Sequence, residues 1–532
     1  MSRMGNAAVA TLCFAISSLG ACQTLAPQTV RDPVDLVLVG GTVYDGTLAE
    51  PQIADIVVTG GVITYVGERA DALFIPKRRI DVAGLVVAPG FIDPHTHAEE
   101  DLASDDPMDR ANLPWAFQGV TTVVVGNDGF GTPNIAEMAA DSRKRGIGTN
   151  VAYLAGFGPI REAVLGTGNR APDEGQLAAM RDLTRRAMCE GAWGLSAGLY
   201  YVPQNYAGTE EMVEMAKIAG GLGGYYDTHM RDESTYNITV TGAVSETLEI
   251  GRKAAIPVHI SHIKALGPDV WGQSAPMIAL IEEARRSGQR VTADQYPWSA
   301  SGTRISNALV PRWALEGGLD ALRVRLADPV EGKRVRDGMA EGLARRGGAE
   351  KLLVTGRLGG ADVPVGQSLA QIADAMQRPA IEAAIAILMQ GDAQVASFNM
   401  SEEDIAAFAY RDWVVTGSDG SSGHPRKFAS FPKAYRDLVA GGEMTLARFI
   451  RRSSAQTAEI VGLKDRGYLK PGFAADIVVF NPANYAPRAS YQEPQELSAG
   501  VEYLIVNGEA LISEGNHTGI LPGQPLLRDT SC

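Results

Sequence analysis

Two of the seven histidines in this 532-residue chain, His95 and His97, lie two positions apart. They follow the segment APGFID at residues 88–93, which is typical of an apolar strand that ends in a loop. Side chains alternate along an extended chain, so residues two apart point to the same side. Two imidazoles on one side form a ready chelate for a divalent metal. The spacing therefore predicts part of a metal site.

Three further groups of this kind stand at the ends of other predicted strands. His229 and His262 each close an apolar run, and Asp419 directly follows another. In an α/β barrel the carboxyl ends of the strands open onto one face, where catalytic groups gather. We expect all five side chains to meet there, because unrelated core residues would not concentrate at strand ends.

The elements that would position these residues are eight apolar strands alternating with helical patterns. Such alternation predicts a (β/α)8 TIM barrel, and a doubly wound open sheet is the alternative. The predicted strands are Leu85–Asp93, Thr121–Asn127, Asn150–Leu154, Trp193–Ser196, Gly224–His229, Pro257–His262, Val291–Gln295 and Trp413–Ser418. About residues 299–411 separate the last two strands, which predicts an inserted subdomain because long structureless loops are uncommon.

Short strands and turns also flank this alternating region on both sides. They occupy residues 34–87 and 461–532, where Gly-Gly and Asn-Gly pairs mark hairpin turns. We expect the two ends to form one small β-sandwich domain beside a barrel that spans residues 88–460.

Composition bounds the classes of function that remain. Hydrophobic residues make up 45% and charged residues 21%, as in globular proteins. The net charge of −14 argues against non-specific nucleic-acid binding.

The N-terminus is typical of an export signal. The apolar run from Ala7 to Leu19 is too short to span a bilayer, and LGAC at residues 19–22 resembles a bacterial lipobox. We therefore predict a signal peptide over 1–22, a lipid anchor on Cys22, a tether over 23–33 and a periplasmic lipoprotein of the outer membrane. A plain signal peptide or an uncleaved tail is the alternative. A disulfide between Cys189 and Cys532 is compatible with the sequence but not required by it.

The motifs together resemble the amidohydrolase superfamily, and the D-aminoacylases (N-acyl-D-amino-acid deacylases) within it. The resemblance runs from GTVYDG at 41–46 through THMR at 228–231, SDG at 418–420 and HPR at 424–426 to HTG at 517–519. It implies a metal-dependent hydrolase that cleaves N-acyl-D-amino acids or related dipeptides with one or two Zn²⁺ or other divalent ions.

One position departs from the family pattern. Asp128 stands where D-aminoacylases usually carry a zinc-binding Cys. A carboxylate is also an anionic ligand and can bridge two metals. The fourth strand offers no Lys of the kind that bridges metals in other amidohydrolases, so we predict that Asp128 is a ligand together with His95, His97, His229 and His262. A simple Asp-Gly turn is the alternative.

The resemblance also assigns roles to the remaining residues. It implies that Asp419 is the general base and acid, and that Tyr201, Lys264 and Arg426 bind the substrate carboxylate. Surface ion pairs for the two cations, and a packed loop aromatic for Tyr201, are the alternatives.

The last three histidines are assigned to supporting positions. His259 lies three residues before His262 and so points to the other sheet face, which favours a structural or supporting role. His424 is a candidate to orient Arg426, and His517 belongs to the terminal β region.

Three other functions remain open at this point. A dipeptidase for peptides with D- or unusual residues and a cyclic amidase would share the barrel. A non-catalytic binding lipoprotein of the same fold is the third, although it would have little reason to keep the four histidines and Asp419.

Overall fold

A computed structural model describes residues 31–529 and Cys532. The predicted signal peptide, the lipobox with Cys22 and most of the tether lie outside the described residues. Within the described part of the chain, no helix is both long and apolar enough to cross a membrane.

The strands form three sheets. In chain order they are β1 (Asp32–Val43), β2 (Gln52–Thr59), β3 (Val62–Gly67), β4 (Phe74–Asp81), β5 (Val86–Pro89), β6 (Phe91–Asp93), β7 (Val120–Val125), β8 (Asn150–Gly156), β9 (Gly194–Gly198), β10 (Tyr225–His229), β11 (Val258–Ile260), β12 (Val291–Gln295), β13 (Ser301–Arg304), β14 (Leu352–Leu358), β15 (Asp392–Ser397), β16 (Val414–Thr416), β17 (Ile477–Phe480), β18 (Val501–Val506), β19 (Glu509–Ser513), β20 (Asn516–His517) and β21 (Pro525–Leu526).

Helices cover the barrel and build much of the insertion. They are α1 (Ala70–Leu73), α2 (Glu99–Ala103), α3 (Pro107–Arg110), α4 (Leu113–Ala116), α5 (Ile135–Arg145), α6 (Phe157–Leu165), α7 (Glu174–Cys189), α8 (Thr209–Gly221), α9 (Val240–Ala254), α10 (Ser274–Arg286), α11 (Ile305–Leu309), α12 (Gly318–Ala327), α13 (Pro329–Arg345), α14 (Leu369–Met376), α15 (Ala380–Leu388), α16 (Glu402–Ala409), α17 (Arg426–Ala434), α18 (Leu446–Ser453) and α19 (Ala455–Val461).

Eight parallel strands, β6 to β12 and β16, form the predicted barrel. The first and last strands meet just beyond their ends, where Thr96 pairs with Gly420 in parallel. The backbone N–H of Asp419 donates to the carbonyl of His95 at 2.9 Å, and that of His97 donates to Gly420 at 2.9 Å. The barrel fold is therefore confirmed, and the open-sheet alternative is excluded. Closure also places the first and eighth strand ends side by side.

The predicted strand Leu85–Asp93 divides into two, β5 and β6. β5 pairs with β1 and β17 in the terminal sheet, whereas β6 pairs with β7 in the barrel. Gly90 lies between the two strands. A larger residue would not fit there, because an added Cβ would lie 2.2 Å from the Thr121 hydroxyl. One apolar run thus supplies both domains, which periodicity alone does not reveal.

Both ends of the chain build one nine-stranded sheet, in the order β20-β19-β18-β17-β5-β1-β2-β3 with β4 beside β1. Apolar residues from its N-terminal strands, such as Ile56, pack with Ile477 and Ile505 from its C-terminal strands in one buried cluster. The backbone N–H of Ala475 donates to Gly61 at 2.8 Å and so draws the two halves together. The sheet therefore folds over a core of its own, as predicted for the terminal β domain.

The insertion after β12 contains a three-stranded antiparallel sheet, in the order β13-β15-β14, with α11 to α15. Its buried apolar residues, including Leu309, Met339 and Leu388, form a separate core. The predicted segment 299–411 extends too far, because α16 packs on α10, β12 and β16 as a barrel helix.

The C-terminal segment is fastened to the barrel. β21 pairs with β8, and Cys532 forms a disulfide with Cys189 at the end of α7. The Arg528 side chain donates to the Ala192 carbonyl at 3.1 Å. The sequence allowed this disulfide without requiring it, and the structure contains it.

Candidate active site

Three of the predicted ligands and the predicted general base, Asp419, form a first cluster at the carboxyl ends of β6, β7 and β16. His95, His97, Asp128 and Asp419 offer ligand atoms that lie within 4.8 Å of one another. Asp128 Oδ1 is 3.5 Å from His95 Nε2, and Asp128 Oδ2 is 3.6 Å from His97 Nε2. Asp419 Oδ1 lies 3.3 Å from His97 Nε2. The structure therefore brings these residues together as predicted.

A second cluster contains His229, His262 and Glu233. Glu233 Oε1 lies 3.2 Å from His262 Nδ1, and Glu233 Oε2 lies 3.7 Å from His229 Nε2. Asp128 joins the two clusters, because its Oδ1 is also 3.3 Å from His262 Nε2. Its carboxylate is thus placed between the histidines of both groups.

Sequence reasoning did not identify Glu233. It lies in the loop after β10, four residues beyond His229, in the motif THMRDE. A carboxylate in the first loop residues after a barrel strand is a usable signal, since such loops carry catalytic groups. Among 62 acidic residues that signal is weak without the fold.

The backbone at three of the site residues lies in the left-handed region. The φ angles are +56° at Asp128, +36° at His262 and +48° at Asp419. Non-glycine residues adopt this region at a cost, and such conformations concentrate at functional sites. A hydrogen bond stabilises the turn at Asp128, since the Gln204 side-chain amide donates to the Asp128 carbonyl at 3.0 Å. Gly198 at the end of β9 permits this approach, because an added Cβ would lie 2.2 Å from the same carbonyl.

Charges of opposite sign stabilise one another in this buried site. Burial opposes protonation of His97, but hydrogen bonds and attraction from Asp128 and Asp419 outweigh it and raise its pKa to about 10. Burial and Lys264 likewise oppose protonation of His262, yet the surrounding carboxylates raise its pKa to about 10. Burial would raise the pKa of Asp128, but the histidines hold it well below its usual range.

A buried carboxylate behind the site, Asp294 on β12, contacts both clusters. Its Oδ1 lies 3.7 Å from His95 Nδ1 and accepts the backbone N–H of His262 at 3.0 Å. His259 Nε2 lies 3.2 Å from the same oxygen, and His259 Nδ1 lies 2.9 Å from the Thr292 hydroxyl. The supporting role predicted for His259 thus has a structural counterpart, whereas Asp294 was not anticipated.

The cations assigned to the substrate carboxylate are engaged with site residues. Arg426 Nη1 donates to Asp419 Oδ2 at 2.6 Å, and its Nε is buried without a partner in the described chain. Lys264 Nζ lies 2.7 Å from Glu233 Oε1, 2.6 Å from His262 Nδ1 and 2.9 Å from the His262 carbonyl. These contacts occupy the Lys264 ammonium, so Arg426 retains more capacity to bind a substrate anion.

His424 supports the Arg426 segment through the backbone. Its Nδ1 accepts the Arg426 backbone N–H at 3.1 Å, and its Nε2 lies 3.1 Å from the Ala300 carbonyl. Gly302 packs on the guanidinium itself, since an added Cβ would lie 2.9 Å from Arg426 Nη2. The insertion thus helps to position Arg426.

A cavity of about 550 Å³ opens above both clusters and is lined on one side by the insertion. Tyr201 lines it, with its ring 4.8 Å from His229. Tyr200 stacks on His229 at 5.3 Å, and the Arg312 guanidinium lies 3.9 Å from the Tyr200 ring centre. A residue of the insertion is therefore linked to His229 through one aromatic ring.

The donor set fits a divalent metal centre. Both ring nitrogens of His95 and Asp128 Oδ1 are buried without hydrogen-bond partners in the described chain. Buried polar atoms normally have partners, and imidazole with carboxylate oxygen is a usual ligand combination for zinc. The residues that could hold metal are His95, His97, Asp128, His229, Glu233, His262 and Asp419.

Comparison with known proteins gives consistent matches. Residues 319–512 match the Amidohydro_3 model, described as amidohydrolase family. The chain is 33% identical to a D-aminoacylase of Alcaligenes xylosoxydans xylosoxydans, over 94% of this chain and 99% of the relative. An N-acyl-D-glutamate deacylase of the same organism is 31% identical over 94% and 98% of the two chains.

Solved structures of such proteins superpose on 93% of this chain. N-acyl-D-glutamate deacylase from Bordetella bronchiseptica, with zinc and a phosphonate that mimics the tetrahedral intermediate, gives a TM-score of 0.79 at 28% identity over 93% and 100% of the chains. A D-aminoacylase with a binuclear metal centre gives 0.77 at 32% identity, with the same coverage. This chain therefore belongs to the D-aminoacylase family of the amidohydrolases.

Proposed function

We propose that this protein hydrolyses the amide bond of N-acyl-D-amino acids and releases a carboxylic acid and a free D-amino acid. The observation that carries the proposal is the joining of two ligand clusters by Asp128, with Asp419 at their edge, inside a D-aminoacylase-family barrel. The curated relatives are a D-aminoacylase and deacylases of N-acyl-D-glutamate and N-acyl-D-aspartate. Their names support small N-acyl amino acids as the substrate class.

The chain's own ligands suit one or two zinc ions. His95 and His97 would hold a first ion and His229 and His262 a second, and Asp128 lies between the two pairs of histidines. A bound divalent ion acts as a Lewis acid that lowers the pKa of water and polarises a carbonyl. Carboxylate oxygen is a harder donor than thiolate, so Asp128 extends the choice of metal toward ions that prefer oxygen.

Asp419 is the group that moves the proton. Arg426 and the histidines overcome burial and hold the pKa of Asp419 below its ordinary value, so the carboxylate is available as an acceptor. It accepts a proton from the attacking water and then delivers it to the nitrogen of the leaving amine. The two transfers occur in sequence, so a single carboxylate serves both.

Substrate recognition is assigned to the cavity above the clusters. Arg426, Lys264 and Tyr201 all line this cavity, and Arg426 offers a planar guanidinium to the substrate carboxylate. A planar fork matches the two oxygens of a carboxylate, which a point-like ammonium does not.

The export prediction extends this proposal to the cell envelope. We propose that residues 1–22 direct export and that Cys22 carries the lipid anchor. The Cys189–Cys532 disulfide supports an oxidising compartment, because such bonds are rare in reducing cytosol.

A substrate panel tests the proposed activity. Zinc-loaded protein is given N-acetyl-D-amino acids, their L enantiomers and dipeptides, and the released amine is measured. We expect release from the D compounds and little from the L compounds, with loss after chelation. Turnover of dipeptides alone would replace the proposal with a dipeptidase, and equal turnover of both enantiomers would remove the D-selectivity.

A further inference from the structure

A second cavity, of about 480 Å³, lies in the wall of the barrel behind β12 and β16. Residues of α16, α17 and α18 also line it, together with residues 297–299, residues 437–438 and Tyr491, and it shares no lining residue with the active-site cavity. Its walls include two polar side chains that are almost completely buried, Gln295 at 5% and Arg452 at 4% exposure. These two residues distinguish the cavity from an ordinary packing gap.

Arg452 has a buried charge without a paired carboxylate in the described chain. Its Nη1 donates to the Ala409 carbonyl at 2.8 Å, at the end of α16, while its Nε is buried without a partner. Contact with a helix C-terminus stabilises a cation only in part. A buried charge otherwise needs an opposite charge and a full set of hydrogen bonds. The guanidinium therefore has unused capacity for an anion.

Gln295 adds a second donor to the same cavity. Its side-chain Nε2 is buried and has no hydrogen-bond partner in the described chain. Buried amide groups are normally paired, and leaving a donor unpaired is unfavourable. Two residues from separate elements, Gln295 of β12 and Arg452 of α18, thus line one cavity and each carry an unpaired buried donor.

The other charges at this cavity do not neutralise Arg452. Lys433 and Asp437 pair with each other, and Glu402 is exposed at the start of α16. No carboxylate of the described chain lies within ion-pair distance of the Arg452 guanidinium, although Arg466 and Arg426 each have one. The cavity thus keeps one unmatched positive charge.

We propose that this cavity is a second binding site, specific for a small carboxylate held by Arg452 and Gln295. A guanidinium binds a carboxylate through two parallel hydrogen bonds, and the amide supplies a further donor. Gln295 lies between Asp294, which contacts the metal-binding histidines, and Tyr296, which lines the active-site cavity. An anion on the outer side of β12 therefore stabilises the strand that supports the metal centre.

If the protein has the proposed deacylase activity, its reaction supplies two small carboxylates that could bind in this cavity. The identity of the ligand rests on the proposed function, whereas the existence of the binding site does not. One is the acyl product, such as acetate, and the other is the carboxylate of the released D-amino acid. A crystal of the metal-loaded protein soaked in 4-bromobenzoate, whose aryl bromine is not displaced by protein nucleophiles, locates a bound carboxylate through the anomalous signal of bromine. We expect a peak in the cavity with the carboxylate at Arg452. A signal confined to the active site would overturn the proposal.

Solution binding then measures the contribution of each donor. Calorimetric titrations compare acetate with a D-amino acid on the wild type, Arg452→Gln and Gln295→Leu, with Arg448→Gln as the control. Arg448 lies one turn away on α18 and donates to the Tyr410 carbonyl instead. We expect roughly tenfold to hundredfold weaker binding of the preferred anion in the two cavity variants, since a charge-assisted hydrogen bond is lost, and no change in the control.

The outcomes separate this proposal from the proposed activity, because binding requires no turnover. Binding in the crystal without measurable affinity in solution, or equal affinity in Gln295→Leu and wild type, would overturn the site. If Arg452→Gln fails to fold, the Gln295→Leu titration and the 4-bromobenzoate crystal still test the proposed site. Preference for acetate over the D-amino acid identifies the acyl product as the ligand, and the reverse identifies the amine product.

Discussion

Asp128 Oδ1 lies 3.3 Å from His262 Nε2, so this carboxylate connects the two ligand clusters. The same oxygen is 3.5 Å from His95 Nε2 and has no hydrogen-bond donor in the described chain. The short side chain of Asp128 thus lies close to histidines that follow both the first and the sixth barrel strand. The position that departs from the family pattern is central to the site.

Replacing Asp128 tests this bridge. Asp128→Ala removes the carboxylate that lies between the histidine side chains of both clusters, so we expect loss of tight metal binding, measured as bound metal by elemental analysis after dialysis. Asp128→Cys restores the family's thiolate, and we expect it to retain metal with a stronger preference for soft ions such as Cd²⁺. Unchanged metal content in Asp128→Ala would show that Asp128 is only a turn residue.

Asp294 should act through the histidines that it contacts. Asp294→Asn keeps the shape but weakens the contacts with His95 and the His262 backbone. Loss of a group that orients a metal ligand typically lowers metal affinity about 10- to 100-fold. Competition with a chelator measures this, and His259→Asn should show a smaller loss in the same direction. Wild-type affinity in Asp294→Asn would restrict this carboxylate to the core.

The insertion should influence His229 through Tyr200. Arg312→Met removes the guanidinium 3.9 Å from the Tyr200 ring, whose stacking on His229 it supports. Cation–π contacts are worth about 0.5–2 kcal/mol, so we expect a severalfold loss of metal affinity or kcat. Arg334→Met is the matched control, because Arg334 lies 4.0 Å from the Trp313 ring, a similar contact made away from His229. Equal effects of both changes would point to general stability instead.

Metal binding should become tighter with rising pH. In the metal-free protein the carboxylates raise the pKa of His97 and His262 to about 10, so a metal must displace protons below that pH. Titrations with Zn²⁺ between pH 6 and 9, in buffers that do not bind zinc, should show increasing affinity and proton release. An affinity independent of pH would contradict the protonated state of these histidines.

The stability of the metal-free protein should change in the opposite direction. A pKa raised above the unfolded value of about 6.5 stabilises the fold fully below that pH. This contribution then declines as the pH rises through about 10. Thermal unfolding of the metal-free protein should show this decline, and His97→Asn should reduce its slope. A metal-free protein whose stability increases between about pH 6.5 and 10 would contradict the raised pKa of these histidines.

Much of the barrel and many of its candidate metal ligands could be predicted from the sequence. Apolar runs followed by His97, His229 or His262 identify strand ends, because few histidines are present and parallel strands end on a common face. Glu233 and Asp294 were not predicted, because acidic residues are too frequent in the sequence for their positions to be informative. Carboxylates are frequent, and their function depends on which strands are neighbours around the barrel.

Other features depend on tertiary contacts that local patterns do not encode. The single apolar run at 85–93 contributes one strand to the terminal sheet and one to the barrel. The two strands are separated at Gly90, which packs closely against Thr121. The engagement of Lys264 with Glu233 depends on loops from neighbouring strands, β10 and β11. The boundary of the insertion was misplaced because α16, an amphipathic barrel helix, looks like the insertion's helices in sequence.

We propose above all that Asp419 transfers the proton in a metal-dependent hydrolysis. Asp419→Asn keeps the size of the side chain and can still contact His97 and Arg426, which now lie 3.3 Å and 2.6 Å from the carboxylate. The most direct measurement is kcat on an N-acetyl-D-amino acid, with bound metal determined on the same sample. We predict retained metal with kcat lowered at least about 100-fold, as expected for loss of general acid–base catalysis. A variant that keeps both metal and near-wild-type kcat would contradict the account.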